Sequence, residues 1–201
     1  MNLTFYYVRH GQTLFNVQGK MQGWCDSPLT EKGIEDAKKA RVALQKVIFA
    51  RAFTSTSERC IDTAHIILDG RNVPLFPVKE LKEINFGTLE GEKISEILPE
   101  MQKRWKTEDY SDLGGENSIQ VQHRLYTLFE RITSGSHEND HILIVSHGAC
   151  FLQLLESLNI MKVDEFMQKY RQNTNDSGPV RNGLVAVITY HNGVYSLSKV
   201  Y

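Results

Sequence analysis

Val8-Arg9-His10-Gly11-Gln12-Thr13 follows an apolar, β-prone run of Leu3, Phe5, Tyr6, Tyr7 and Val8 and leads into polar chain. A strand that ends in a cation, an imidazole and a glycine sets two side-chain donors at its carboxyl end, the edge at which open α/β sheets hold ligands. Gly11 is expected to let the backbone turn away without crowding whatever His10 faces. Taken alone, such an ending also describes an ordinary strand terminus with a solvated arginine and a hydrogen-bonded histidine. The same ending recurs 137 residues further on. His141-Ile142-Leu143-Ile144-Val145-Ser146 is the clearest strand of the chain, and it closes on His147-Gly148 before a helix expected over Ala149 to Leu158. Parallel strands bring their carboxyl ends to one edge, so two imidazoles that terminate such strands converge.

Outward from these two strands the chain alternates β and α. Leu14 to Trp24 reads as a polar, glycine-punctuated loop, with Asn16, Gln18, Gln22 and Gly23 offering neutral donors. Thr30 caps a helix that should run to about Gln45, with Ile34, Ala37, Ala40, Ala43 and Leu44 as its apolar stripe. Val47 to Phe53 is a second buried strand. Ser57 and Arg59 then stand at the start of a helix whose apolar residues are Ile61, Ala64, Ile67 and Leu68. A cation in a first helical turn opposes the macrodipole, unless an anion shares the spot. Val73 to Val78, with Pro74 and Pro77, is an edge strand. After it, Glu83 beside Ile84 and Phe86 is the candidate for a carboxyl with a raised pKa, whereas Glu80 and Glu90 read as solvated. Residues from Ile94 to Leu113, carrying Pro99, Trp105 and Tyr110, form an interrupted helical segment that ends on Gly114-Gly115. Glu116-Asn117-Ser118 opens an amphipathic helix with Val121, Leu125, Leu128, Phe129 and Ile132 on one face and His123 on the polar side. Val163 to Tyr170 is a further helix, Asn173 to Pro179 a polar loop, and Leu184 to Tyr190 with Val194 to Val200 a hairpin about His191-Asn192-Gly193. The expected fold is a three-layer α/β/α sandwich on a mostly parallel, mixed central sheet, residues 1–201 forming one domain with a cap insertion at about 92–115.

Composition narrows the function classes. The 201 residues carry 23 Lys and Arg against 24 Asp and Glu, net charge −1, with the cations scattered, so there is no footprint for nucleic acid. No signal-like N-terminus and no apolar run of membrane-spanning length is visible, and a cytoplasmic protein is expected. Cys25, Cys60 and Cys150 are odd in number and lack CxxC spacing, which argues for reduced thiols. His137 and His141 are the only histidine pair four apart, in a polar loop ahead of a strand, and are not expected to bind a metal.

The residues gathered at strand ends are Arg9, His10, Arg59, Glu83 and His147. Two guanidiniums can each grip oxygens of a phosphoryl group in bidentate fashion. His10, kept neutral by neighbouring positive charge, offers a ring nitrogen able to attack phosphorus. His147 can donate to a phosphoryl oxygen as charge shifts in the transition state. Glu83 can protonate the leaving oxygen and then take a proton from water. No metal or other cofactor is required by this set.

The sequence resembles the histidine phosphatase superfamily, the phosphoglycerate mutase-like proteins. The matching residues are Arg9-His10-Gly11-Gln12-Thr13 with Asn16, Gly23-Trp24-Cys25-Asp26-Ser27-Pro28-Leu29-Thr30 with Gly33, Ser55 to Arg59 with Thr63-Ala64, Glu83 with Phe86-Gly87 and Glu90-Gly91, Gly115-Glu116-Asn117-Ser118, and Ser146-His147-Gly148. The resemblance implies that His10 is the phosphorylated nucleophile, that Arg9, Arg59 and His147 form the phosphate pocket, and that Glu83 is the proton donor. It also implies that Asn16, Gln22 and Gly23, with Ser57 and Gly148, line the substrate site. Cofactor-dependent mutases typically carry Glu-Arg-His-Tyr-Gly after the acid and an Asn soon after the second His-Gly. Here Glu83 leads into Ile84-Asn85-Phe86-Gly87, and Gly148 into Ala149-Cys150. These departures favour phosphomonoester hydrolysis over a cofactor-dependent phosphoglycerate mutase, with a non-catalytic phosphate-ester binding module as the remaining alternative. The expected partner is a small-molecule phosphate ester, with no nucleic acid or membrane, and a homo-oligomer would have the C-terminal hairpin as an available edge.

Overall fold

Asn2–Arg9 forms β1, and its side chains alternate between two hydrophobic layers as a strand's period of two requires. Leu3, Phe5 and Tyr7 enter one core cluster and Val8 the other. The computed structural model describes residues 1–104, 106–170, 178 and 180–201. Trp105 and most of the Asn173 to Pro179 loop therefore lie outside the described residues.

The strands are β1, β2 (Arg51–Ser55), β3 (Leu75–Val78), β4 (His141–Ser146), β5 (Val185–His191) and β6 (Val194–Val200). They make one six-stranded sheet in the order β3-β2-β4-β1-β5-β6. The first four strands in that order are parallel, and β5 and β6 are antiparallel to their neighbours. Helices α2 (Glu31–Ala43) and α3 (Glu58–Leu68) cover one face, where Ala40, Leu44, Cys60, Ala64 and Ile67 pack on Ala52, Leu143 and Val145. The other face carries α5 (Ser118–Ser134), α6 (Gly148–Ser157) and α7 (Val163–Tyr170), with Leu125, Leu128, Phe129 and Phe151 set against Phe5, Tyr7, Ile142 and Ile144. This is the expected three-layer arrangement on a mixed sheet, and it follows from β4 being buried on both faces. Between β3 and α5 the chain runs through α4 (Ile94–Arg104) and single 3-10 turns. No helix of the described residues is long and apolar enough to cross a membrane.

Several element boundaries differ from those expected. The stretch after β1 is not all loop: Thr13 and Asn16 form a capping box that starts α1, Leu14–Gln18. Thr30 caps α2 as expected, but Ile34 and Ala43 are exposed, and the buried face is Gly33, Asp36, Ala37 and Ala40, followed by Leu44. The second strand begins at Arg51 rather than Val47, and Ile48 is exposed, because Leu44 to Val47 continue the helix end as turns. The third begins at Leu75, at the edge of the sheet where its prolines need no ladder partner.

Candidate active site

Register decides what meets at the carboxyl edge. β1 and β4 pair in parallel with Arg9 opposite Ser146, so His10 and His147, one residue further on each strand, leave the sheet side by side. Their ring centroids are 5.3 Å apart. β2 pairs with β4 through Thr54 and Val145, which brings Ser55 to the same edge.

His10 is buried, and its Nδ1 lies 2.8 Å from the carbonyl oxygen of Gly11. A carbonyl only accepts, so Nδ1 carries the proton and the lone pair is on Nε2. Burial first, then the charges of Arg59 and Arg9, hold the His10 pKa well below the usual histidine value. Gly11 also has a packing role. A Cβ there would come 2.1 Å from the carbonyl oxygen of Gly33, and one at Gly33 would come 2.0 Å from that of Gln12. The two glycines let the N-terminal turn of α2 close on the chain leaving β1.

Arg59 is fully buried in the first turn of α3, and the anion that its position called for is Asp26. The Asp26 carboxylate accepts from Arg59 Nη1 at 2.8 Å and from the backbone N–H of Glu58 at 2.6 Å, satisfying the helix terminus and the guanidinium together. Arg59 Nη1 also donates to Cys25 O at 3.0 Å, and Nη2 to Gly23 O at 2.8 Å and to His147 Nδ1 at 3.0 Å. A bidentate grip on a ligand through the two Nη atoms is therefore not the arrangement seen. The Nε–H, buried and without a hydrogen-bond partner among the described residues, is the donor left for one. Because Arg59 can only donate, His147 accepts at Nδ1, and its Nε2–H donates to Ser55 Oγ at 2.8 Å. Burial, then the charge of Arg59, holds the pKa of His147 well below its usual value.

The Arg9 guanidinium lies against Gly148, where a Cβ would come 3.2 Å from its Nε, and it donates to the carbonyl of Val180. Glu83 follows the 3-10 turn Lys79–Leu81 and reaches the N-terminus of α6. Its Oε1 accepts from the N–H groups of Cys150 at 2.7 Å and Ile84 at 3.0 Å, and Oε2 from that of Ala149 at 3.0 Å. An apolar environment was expected around this carboxyl, whereas three backbone donors surround it. The helix for which His147 is the N-cap thus holds Glu83 at its first turn.

The neutral residues expected to line the site are tied to the scaffold. Asn16 Oδ1 accepts from Thr13 N at 3.1 Å and from Asn182 Nδ2 at 3.1 Å, Gln22 bonds Thr13 and Ser27, and Ser57 bonds Ser55 at 3.3 Å. Gly23 contributes its carbonyl to Arg59, and a Cβ there would come 2.2 Å from Ile84 O. Glu90 is only partly exposed, and its carboxylate accepts from the N–H groups of Trp24, Phe86 and Cys25. Glu80 pairs with Arg131 at 2.8 Å. Residues that sequence reasoning left without a role include Asp26, Ser55 and Asn182. Ser55, as the last residue of β2, carried a positional signal, and Asp26 stood only within the Gly23 to Thr30 stretch that carries the family resemblance. Asn182, whose Nδ2 donates to His10 O at 3.3 Å, stands in a segment without periodicity and gave no signal.

Among the described residues no group of three or more His, Cys, Asp or Glu side chains is arranged to hold a metal ion, and His137, largely exposed, faces Asp140 at 3.9 Å. The three cysteines are free thiols.

The model of the histidine phosphatase superfamily, branch 1, matches residues 5–194. A 2,3-bisphosphoglycerate-dependent phosphoglycerate mutase of Gloeobacter violaceus is 31% identical over 167 residues, 79% of this chain and 76% of that protein. Among solved structures, YhfR of Bacillus stearothermophilus is 32% identical with a TM-score of 0.83, over 98% of this chain and 95% of the other. An alpha-ribazole phosphatase of Shigella flexneri is 26% identical with a TM-score of 0.78, over 98% and 95%. With the matched model extending from β1 into β6, over the two histidines and the sheet edge that joins them, the chain belongs to the histidine phosphatase superfamily, branch 1.

Proposed function

We propose that the chain hydrolyses small phosphate monoesters through a phosphohistidine formed on His10. The observation that carries this reading is the state of the His10 ring: buried, neutral, and held by the Gly11 carbonyl with its lone pair on Nε2. A ring held in that tautomer needs no proton removed before it attacks. In the first step Nε2 forms a bond to phosphorus while the bond from phosphorus to the ester oxygen breaks, and Glu83, carrying a proton once the anionic ester is bound, passes that proton to the ester oxygen. Glu83 Oε2, which takes one backbone donor against two on Oε1, is the oxygen with room for that proton. In the second step water attacks phosphorus, its proton returns to Glu83, and the lone pair returns to Nε2 as inorganic phosphate leaves.

Arg9, the Nε–H of Arg59 and the Nε2–H of His147 are the donors proposed for the phosphoryl oxygens, with His147 exchanging Ser55 for substrate. Gly148 keeps room for the Arg9 guanidinium, Asn16, Gln22 and Gly23 act through the loop they brace, and Ser57 acts through its bond to Ser55. The segment from Ile94 to Leu113 is proposed to set selectivity. The mutase relative at 31% identity supports a second reading, transfer between positions of a phosphoglycerate.

A panel of phosphorylated metabolites, assayed by phosphate release without added metal, tests the choice. Release from one or more esters, with acid-labile phosphate on the protein that His10→Ala removes, is the expected result. Isomerisation of 3-phosphoglycerate with 2,3-bisphosphoglycerate, and no net release, would replace hydrolysis by transfer. Turnover of p-nitrophenyl phosphate by His10→Ala at the wild-type rate would end both readings.

A further inference from the structure

Arg124, midway along α5, has no place in the chemistry above, yet every one of its five N–H groups is engaged. Nη1 donates to the carbonyls of Glu80 and of Lys82, the latter at 2.8 Å. Nη2 donates to the carbonyl of Glu83 at 3.0 Å and to Glu116 Oε2 at 3.1 Å, and Nε to Glu116 Oε1 at 2.9 Å. Glu116 in turn takes the N–H of Asn85 on Oε2 at 2.9 Å, and its own N–H donates to Asn85 O at 2.9 Å. The two side chains thus hold the chain on both sides of Glu83. On one side are three carbonyls of residues 80 to 83; on the other is the main chain of residue 85. Trp24 Nε1 adds a second donor to the Glu83 carbonyl at 3.0 Å.

The segment so held has no helix or strand of its own beyond short 3-10 turns, so its backbone groups depend on such partners for hydrogen bonds. Both members of the pair are mostly buried, with side-chain exposures of 15% and 16%. A guanidinium that converges on three consecutive-region carbonyls fixes a backbone in a way that a point charge on a flexible stem does not. We propose that Arg124 and Glu116 are a positioning pair that sets the Glu83 carboxyl at the leaving-group oxygen. This rests on the reading of Glu83 as the proton donor. Displacements of about 1 Å in such groups cost on the order of 100-fold in rate, and general-acid assistance is itself worth roughly 100-fold to 10,000-fold.

The test uses kcat/KM, which reports the step that phosphorylates His10, on two esters: p-nitrophenyl phosphate, whose leaving group needs no proton, and an alkyl phosphate such as glycerol 2-phosphate, whose leaving group does. Glu83→Gln, Arg124→Met, Glu116→Gln and the double variant Glu83→Gln with Arg124→Met are compared with the parent chain. The expected result is a loss of about 100-fold on the alkyl ester and under about fivefold on the aryl ester for Arg124→Met, with the double variant no worse on the alkyl ester than Glu83→Gln alone. Equal losses on both esters, or losses that multiply in the double variant, would overturn the positioning role while leaving Glu83 in place. If Glu83→Gln itself shows no dependence on the leaving group, the acid role fails and the positioning role with it. Should Arg124→Met not fold, Glu116→Gln alone decides, by the same contrast between esters.

Discussion

Glu108 offers a measurable consequence of the way residues 94 to 113 pack on the body of the protein. Its backbone is in the left-handed region, φ 43°, and its carboxylate accepts a hydrogen bond from Gln153 on α6. Gln153 follows Ala149 by four residues and so shares its face of the helix, one turn above the N–H that holds Glu83. Burial, and then the negative charges of Glu83 and Glu156, push the Glu108 pKa from the ordinary 4.5 to about 7, against a lowering contribution from the Gln153 hydrogen bond. The native state therefore binds the Glu108 proton more tightly than the unfolded chain does, and stability must fall as pH rises through that window. The full cost of ionising the folded carboxyl is about 3 kcal/mol, of which about 2–3 kcal/mol develops between about pH 5 and about pH 8.5. Glu108→Gln keeps an amide able to bond Gln153 and removes the titration. Urea unfolding of the two chains at the two pH values should show the variant gaining about 2–3 kcal/mol on the parent as pH rises. A difference that is flat with pH, or that favours the parent at the higher pH, would refute the reasoning, because it would mean that Glu108 does not stand in a buried, acidic environment.

Two further outcomes follow from the site's framework. Asp26→Ala leaves the fully buried Arg59 guanidinium without its carboxylate and the N-terminus of α3 without an acceptor; a loss of about 3–5 kcal/mol is expected in chemical denaturation, together with weaker binding of inorganic phosphate or vanadate as the guanidinium shifts. Gly11→Ala sets a methyl 2.1 Å from a backbone oxygen that no rotamer can move, so a loss of more than about 2 kcal/mol is expected, and a thermal midpoint within two degrees of the parent would argue against the close approach.

What could be read from the residues themselves was local. Apolar runs such as Leu3 to Val8 and His141 to Val145 declare buried strands, and the glycine after each terminal histidine declares a break, because propensity and periodicity act over a few neighbouring residues. From these came the α/β alternation, α5 with its buried face, the C-terminal hairpin, and His10, Arg59, Glu83 and His147 as the residues to watch. Boundaries were less legible. β2 starts four residues later than its apolar run because Val47 to Phe49 have no ladder partner in the sheet, and Asp36 rather than Ile34 lies on the buried side of α2, beside the Gln12 N–H at 3.4 Å.

The partners of the site residues belong to the tertiary structure alone. That His10 and His147 stand 5.3 Å apart follows from the pairing of Arg9 with Ser146 across 137 residues of chain, a register that no local pattern specifies. The same holds for Asp26 as the counter-charge of Arg59, for the first turn of α6 as the holder of Glu83, and for Arg124 clamped on the carbonyls ahead of it. Each is a contact between segments far apart in sequence, made when strand register and helix packing are set together. The chain thus announces which groups it carries to the sheet edge, while their orientation, protonation and remaining free donors are decided only when the layers close around them.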